Sequence, residues 1–322
     1  MKAEKGAAQV VQTDIAIKPL GPFSWEAAND VGRNFGPVRH NWQEPGRVRM
    51  TFLLDGTFAP VGVNLRFEDG AVRGEVAGTS DHAAVERQVA RIFSLDVDAT
   101  DYPEVGRRDL KIGRLMEALP GLRPLCFTSP YETAAWAVVS QRISMAQAAT
   151  IKARIILEHG HPLTVGGVEV RCFPTPERLL EVESVPGLAS EKVGRLHGVA
   201  RAALAGLLEC ERLRALGDEA GPESVRVIPG IGPFWSSGIY LRGCGIQDVF
   251  PDEPVAIAAL GRLHGAGDQP SPELVRELTD VYSPFRMWVC FLLRVSAGRA
   301  GLIEGVAGNE MNLRRQHHHG RS

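Results

Sequence analysis

VRVIPGIGPFWSSGIYLRGCGIQDVFPDEP, residues 225–254, holds a Pro-Gly-Ile-Gly turn, an apolar helix-like run and a compact acidic cluster. Val225–Ile228 is a short apolar end, and Pro229-Gly230-Ile231-Gly232 is a tight turn. Pro233 then restarts a helix, because proline is best tolerated at the first helical position. Glycine-rich turns before a helix commonly grip phosphate. A dinucleotide-binding reading needs GxGxxG after a parallel strand among repeated βαβ units, and those units are missing. A P-loop needs a Gly-Lys-Ser/Thr ending, which is also absent. Between two helices, Pro-Gly-Ile-Gly reads as a helix-hairpin-helix. Its glycines let the backbone approach a phosphate, and its second helix presents N-terminal amides to the anion. On the turn alone, an ordinary tight turn between two helices is the equal alternative.

The chain around it has 322 residues, enough for one large domain or two to three ordinary ones. Hydrophobic residues make up 44% and charged residues 23%, the balance of a soluble globular protein. The apolar runs fall short of the ~18 residues that a membrane span needs. The start, MKAEKGAAQVVQTD, is polar and has no apolar signal core, so a cytoplasmic location is expected. Cys126, Cys172, Cys210, Cys244 and Cys290 are scattered singly, which reads as buried thiols in a reducing compartment. That spacing argues against a cysteine-ligated iron–sulfur cluster, whose ligands come close together. A net charge of −2 counts against a protein that coats nucleic acid by bulk electrostatics. It leaves room for one that touches a few phosphates through a local patch.

Along the chain, residues 1–20 read as a flexible arm and 21–105 as an N-terminal α+β domain. Asp-Gly pairs at 55–56 and 69–70 mark hairpins between alternating segments, and 81–95 switches to helical periodicity. Residues 106–300 are almost wholly helical, with the hairpin at 225–243. The spacing predicts helices over 129–158, 176–183, 190–208, 233–243, 254–264, 271–281 and 284–298. A Gly-Gly turn within 161–173 predicts one small β insertion. Residues 301–322 lose periodicity and end QHHHGRS, a disordered tail. The expected fold is therefore α+β: an antiparallel-sheet lobe followed by a mostly α-helical two-part core.

Five blocks in this order and spacing resemble the helix-hairpin-helix (HhH-GPD) DNA glycosylases, in the 3-methyladenine DNA glycosylase II branch. They are LDVDATDYPEVGRRD (95–109), PGLRPLCFTSPYETAAWAVVSQRIS (120–144), FPTPERLLEV (173–182), PGIGPFWSSGIYLRGCGIQDVFP (229–251) and SPFRMWVCFLL (283–293). The resemblance covers about 200 residues, and that branch also carries an extra N-terminal α+β domain. It implies an enzyme that flips a damaged base out of duplex DNA and cleaves its N-glycosidic bond. The sugar then acquires oxocarbenium character, which a nearby carboxylate stabilises. The expected partner is double-stranded DNA bearing alkylated bases, met by a monomer. No cofactor is required, although the family implies Na+ or K+ at hairpin carbonyls near Val227 and Pro229.

Residue by residue, the resemblance puts Pro229, Gly230, Ile231 and Gly232 on the DNA backbone. Relatives place a catalytic aspartate at the start of the helix after the Asp-Val-Phe-Pro segment. Here that segment reads Asp248-Val249-Phe250-Pro251-Asp252-Glu253-Pro254: one alignment puts Glu253 in the slot with Asp252 beside it, a second, on relatives with one more residue, puts Pro254 there, and Asp248 reads as structural. Both acids also suit a helix N-terminus begun by Pro254, a capping role that needs no chemistry. Phe234, Trp235, Tyr240 and Trp136 are the candidate base pocket, with an alternative reading of each as helix core. Gln141 and Arg142 are the candidate minor-groove wedge, an arginine there being able to plug the gap left by a flipped base. Arg242 and Lys192 are candidate phosphate contacts. No lysine occurs between Pro229 and Ser283, which argues for a monofunctional hydrolase over a Schiff-base lyase. The competing functions are a catalytically impaired lesion-recognising DNA-binding protein of the same fold and a helical scaffold.

Overall fold

A computed structural model describes residues 14–36, 44 and 46–307. The triple-histidine tail lies outside the described residues. The fold is α+β, as the sequence predicts. Strands β1 (Ile15–Ile17), β2 (Arg47–Leu53), β3 (Pro60–Glu68) and β4 (Ala71–Ala77) form one antiparallel sheet in the order β1-β4-β3-β2. Asp69 and Gly70 both have positive φ, 51° and 72°, in the two-residue turn joining β3 to β4. That is the geometry for which Asp-Gly is favoured. Alternation along β2 and β3 buries Val48, Met50, Phe52, Val61, Val63 and Leu65 completely. Against this face lies α2 (His82–Ile92), presenting Val85, Val89 and Ile92.

Two N-terminal elements correct the sequence reading. Ile15–Ile17, assigned to the flexible arm, instead pairs with β4 because Ile15 and Ile17 gain a buried face there. Helix α1 (Trp25–Asn34) was not foreseen. Ser24 Oγ caps it by accepting from Ala27 N at 3.0 Å, and buried Trp25 packs against Phe93.

The helical part runs α3 (Tyr102–Arg108), α4 (Leu110–Ala118), α5 (Pro130–Ser140), α6 (Met145–His159), α7 (Pro176–Leu180) and α8 (Ser190–Leu204). It continues through α9 (Cys210–Ser224), α10 (Pro233–Gly238), α11 (Pro254–His264), α12 (Pro272–Asp280) and α13 (Arg286–Ala297). Pro130, Pro176, Pro233, Pro254 and Pro272 each begin a helix. The single helix expected over 129–158 is two, broken at 141–144, where Ser144 opens α6 with a reciprocal capping box to Gln147. The Gly-Gly insertion forms the β5 (His161–Val165) and β6 (Val168–Cys172) hairpin, which packs on the sheet through Val165 over Gly62. All five cysteines are buried free thiols. Among the described residues no helix is long and apolar enough to cross a membrane.

Polar clamps join the parts. Arg91 of α2, 3% exposed, donates to the carbonyls of Phe127, Thr128 and Gly243 and to Asp55 Oδ2. It thus ties the sheet lobe to the helix that follows the Pro-Gly-Ile-Gly turn. Asp109 caps α4 through Lys111 N and Ile112 N, accepts from Tyr282 Oη at 2.6 Å, and lies 3.1 Å from His264 Nε2 at the end of α11. Burial pushes its carboxyl up, but the His264 and Tyr282 contacts outweigh this and hold it at about 2, against an ordinary 3.8. A depressed carboxyl stabilises the fold above its unfolded value and stops doing so as pH falls through its folded one. Asp109→Asn is expected to cost about 2 kcal/mol at neutral pH. The melting-temperature gap to wild type should shrink below about pH 4 and close near pH 2, as scanning calorimetry across that range would record. A gap that stays constant with pH would dismiss this linkage.

Candidate active site

The turn that follows α9 is anchored by apolar side chains and shaped by glycine. Ile228 and Ile231 are buried, and Ile231 N donates to Ile228 O at 3.0 Å. Gly230 has φ 89°, a left-handed backbone that strains other residues, and a Cβ there would sit 2.9 Å from Arg195 Cδ and push that side chain aside. Gly232 is the N-cap of α10, and nothing lies within 4 Å of where its Cβ would be. Phe234 projects outward at 56% exposure with Trp235 edge-on to it, ring centroids 5.4 Å apart. Beyond Gly238 the helix widens into a π-helical turn, Ile239–Gly243.

Beside this turn stands the 141–144 break. Gln141 Nε2 donates to Gly230 O at 2.7 Å, and its Oε1 accepts from Arg195 Nη1 at 3.0 Å. Lys192 Nζ donates to the carbonyls of Val139 and Gln141 at 2.9 and 2.6 Å, closing the C-terminal end of α5. Arg142 is exposed with φ 56°, a left-handed conformation that costs a non-glycine residue about 1 kcal/mol or more. The surrounding hydrogen bonds hold that strain in place.

The acidic cluster resolves into three different carboxylates. Asp248 accepts from Ser283 Oγ and Arg286 Nη1, a structural tie to the start of α13. Asp252 is exposed, and Glu253 is the N-cap of α11. Its Oε2 accepts from Ala256 N at 2.7 Å, and its Oε1 is held by Arg294 Nη1. The side chain is 15% exposed, so the carboxylate is partly reachable by solvent while both oxygens are fixed.

No family model matches the chain. The DNA-3-methyladenine glycosylase 2 of Escherichia coli is 30% identical over 206 residues, covering 62% of this chain and 67% of that protein. This chain belongs to the helix-hairpin-helix DNA glycosylases. Within them it lies in the 3-methyladenine branch. The DNA-3-methyladenine glycosylase of Bacillus subtilis is 23% identical over 206 residues, covering 62% of this chain and 68% of that one. A solved 3-methyladenine DNA glycosylase from Archaeoglobus fulgidus shares the fold at TM-score 0.74 and 24% identity, over 88% of this chain and 98% of that one.

Seen as a glycosylase, the structure corrects three of the residues assigned from sequence, Arg242, Tyr240 and Trp136, and gives Lys192 a further task. Arg242 is no phosphate contact: its guanidinium is stacked among Phe35, Phe127 and Phe291, 4.5, 5.5 and 5.3 Å from the ring centroids. It donates to Leu125 O, and burial pulls its pKa down to about 10. Lys192 gives two of its three donors to backbone carbonyls and so positions the 141–142 loop. Burial first, then Arg195 and Arg142, lower its pKa. Tyr240 is buried and turned away, its hydroxyl donating to Asp218 Oδ1 at 2.9 Å across α9. Trp136 is 2% exposed inside α5, a core residue.

The glycosylase sequence gave no warning of Arg294. It follows Cys290 and Phe291 by four and three positions on α13, the spacing of one helix face. That face meets the N-terminus of α11, which brings Arg294 onto Glu253. The periodicity was legible, but which helix that face would meet was not.

Proposed function

We propose that this glycosylase excises N-alkylated purines of the 3-methyladenine and 7-methylguanine type from duplex DNA by a monofunctional, hydrolytic route. Glu253 carries the reading: one carboxylate, fixed at both oxygens, which the sequence resemblance aligns with the family's catalytic acid. The amides and carbonyls of residues 229–232 hold the DNA backbone, and the Val227 and Pro229 carbonyls would hold a monovalent cation there. Arg142, thrust out of the 141–144 break, fills the gap left by the extruded nucleotide. Phe234 and Trp235 offer π-faces next to the hairpin.

The bond between C1′ and the base nitrogen then breaks, with its electron pair leaving on the base. A cationic base departs neutral, which makes this cleavage easy. Glu253 stabilises the positive charge on the sugar until water adds at C1′ and loses its proton. Duplex DNA carrying a single 7-methylguanine tests this directly. Wild-type protein should release free base and leave an intact, alkali-labile strand. Strand scission without alkali would sink the monofunctional assignment. Tight binding with no release would replace the enzyme by a lesion-recognising protein.

A further inference from the structure

The hairpin and the Arg142 loop belong to two rods that lie side by side. One is α5, which ends at the 141–144 break, and the other is α10 continued by its π-helical turn, from Pro233 to Gly243. At one end Gln141 ties the break to Gly230 O at 2.7 Å. The other end is closed by the backbones themselves. Phe127 N donates to Arg242 O at 2.9 Å, and a Cβ on Gly243 would lie 3.1 Å from Pro130 Cα and 3.2 Å from Thr133 Oγ1. A glycine is what lets the two rods approach so far.

Arg91 locks that closed end from the N-terminal lobe. Its Nη2 donates to Thr128 O at 2.8 Å and to Asp55 Oδ2 at 2.6 Å, and its Nη1 donates to Gly243 O. One planar fork thus holds the last carbonyl of the hairpin rod, the segment that opens α5, and the loop that follows β2. Two irregularities lie along the frame so closed. A π-helical turn, a feature that helices keep mostly at functional sites, stands between the hairpin and the clamp. Past the far end of α5, Arg142 holds a φ of 56°, a strain that persists only where the surroundings over-determine it.

We infer that Arg91 is a positioning residue for base extrusion: from the N-terminal lobe it fixes α5 against the hairpin rod, and with them the placement of Arg142 relative to the turn at 229–232. The inference rests on the glycosylase reading above and gives the N-terminal lobe a part in the reaction. Loosening the clamp leaves the turn and its glycines as they are, so the hold on the duplex survives. What is lost is the registry between that hold and the wedge. A displacement of ~1 Å caused far from the chemistry costs about a hundredfold.

A duplex carrying 7-methylguanine with 2-aminopurine as its 3′ neighbour separates the steps, because 2-aminopurine brightens when its stacking is lost, ahead of base release. Arg91→Lys keeps the charge but not the fork. Gly243→Ala pries the same joint from the other side and leaves Arg91 in place. In single turnover and per folded molecule, each should bind the duplex within about threefold of wild type yet open the step and release base about tenfold more slowly or worse. Val63→Ala, buried in the sheet core away from the clamp, should keep the wild-type rate per folded molecule. Wild-type opening and release in either clamp variant would mean that Arg91 only stabilises the fold, and the proposal is overturned. It is equally overturned if release slows while opening does not, or if affinity falls in step with release. Opening without release by wild type would reject the hydrolase reading alone, and the opening rates of the two variants would still decide on Arg91. Neither opening nor release by wild type would reject the glycosylase reading and this inference with it.

Discussion

Glu253→Gln is expected to release alkylated base at about one hundredth to one thousandth of the wild-type rate, the usual loss when one charge-stabilising group is removed from an active site. It should also melt close to the wild-type temperature. The amide oxygen of glutamine still accepts from Ala256 N, so the cap on α11 survives while the negative charge does not. That separation of roles matters because Glu253 is both N-cap and candidate catalyst. Glu253→Asp should also be slow. A side chain one methylene shorter has to give up either Ala256 N or Arg294, and a displacement of ~1 Å at a reacting centre costs about a hundredfold. Asp252→Asn, at an exposed carboxylate one residue away, should keep the wild-type rate. Full activity in Glu253→Gln, or a matching loss in Asp252→Asn, would move the catalytic assignment elsewhere. Both are read from the same base-release assay.

Arg91→Met is the substitution with the largest expected effect on stability. The side chain is almost completely buried, and its guanidinium serves Asp55 and three backbone carbonyls at once. Replacing it leaves the Asp55 carboxylate and those carbonyls in the interior without their donor. Removing one partner of a buried pair costs about 3–5 kcal/mol. For a chain of this size that lowers the melting temperature by on the order of 10 °C. Asp55→Asn in the same background should recover part of the loss, because it removes the stranded charge. A double-mutant cycle by denaturant unfolding measures that coupling. A loss below about 1 kcal/mol would show that solvent reaches the clamp after all.

How far the sequence disclosed all this varies with the physics behind each feature. The hairpin turn was legible because Gly230 answers a local demand of the backbone, and local demands are written in the adjacent residues. The sheet and its Asp-Gly turn were legible for the same reason. Helix α9 was not, since Gly217 and Pro222 interrupt its periodicity, and the kink at Gly217 (φ 78°) divides it in two. Nor was β1, whose three residues carry almost no pattern and gain their burial only from β4. The site shows the same division. Glu253 could be placed by its neighbours in the chain, whereas the fate of a long side chain depends on what comes to meet it. Arg242 meets three phenylalanines from three distant segments, and Lys192 meets the carbonyl end of α5.

One bond described above has a mechanical consequence. Gln141 Nε2 fastens the outthrust loop to Gly230 O, and Arg195 braces the same glutamine from behind. Grip and probe are thereby built as the two jaws of a fixed caliper. On the proposed reading, the span between the phosphate at the turn and the step met by Arg142 is therefore set by the backbone of the two loops. A duplex bound in that way has to bend to fit the gauge. A damaged, weakly stacked step yields more readily than an intact one, so the proposed contacts would make the search a test of compliance before any base is inspected.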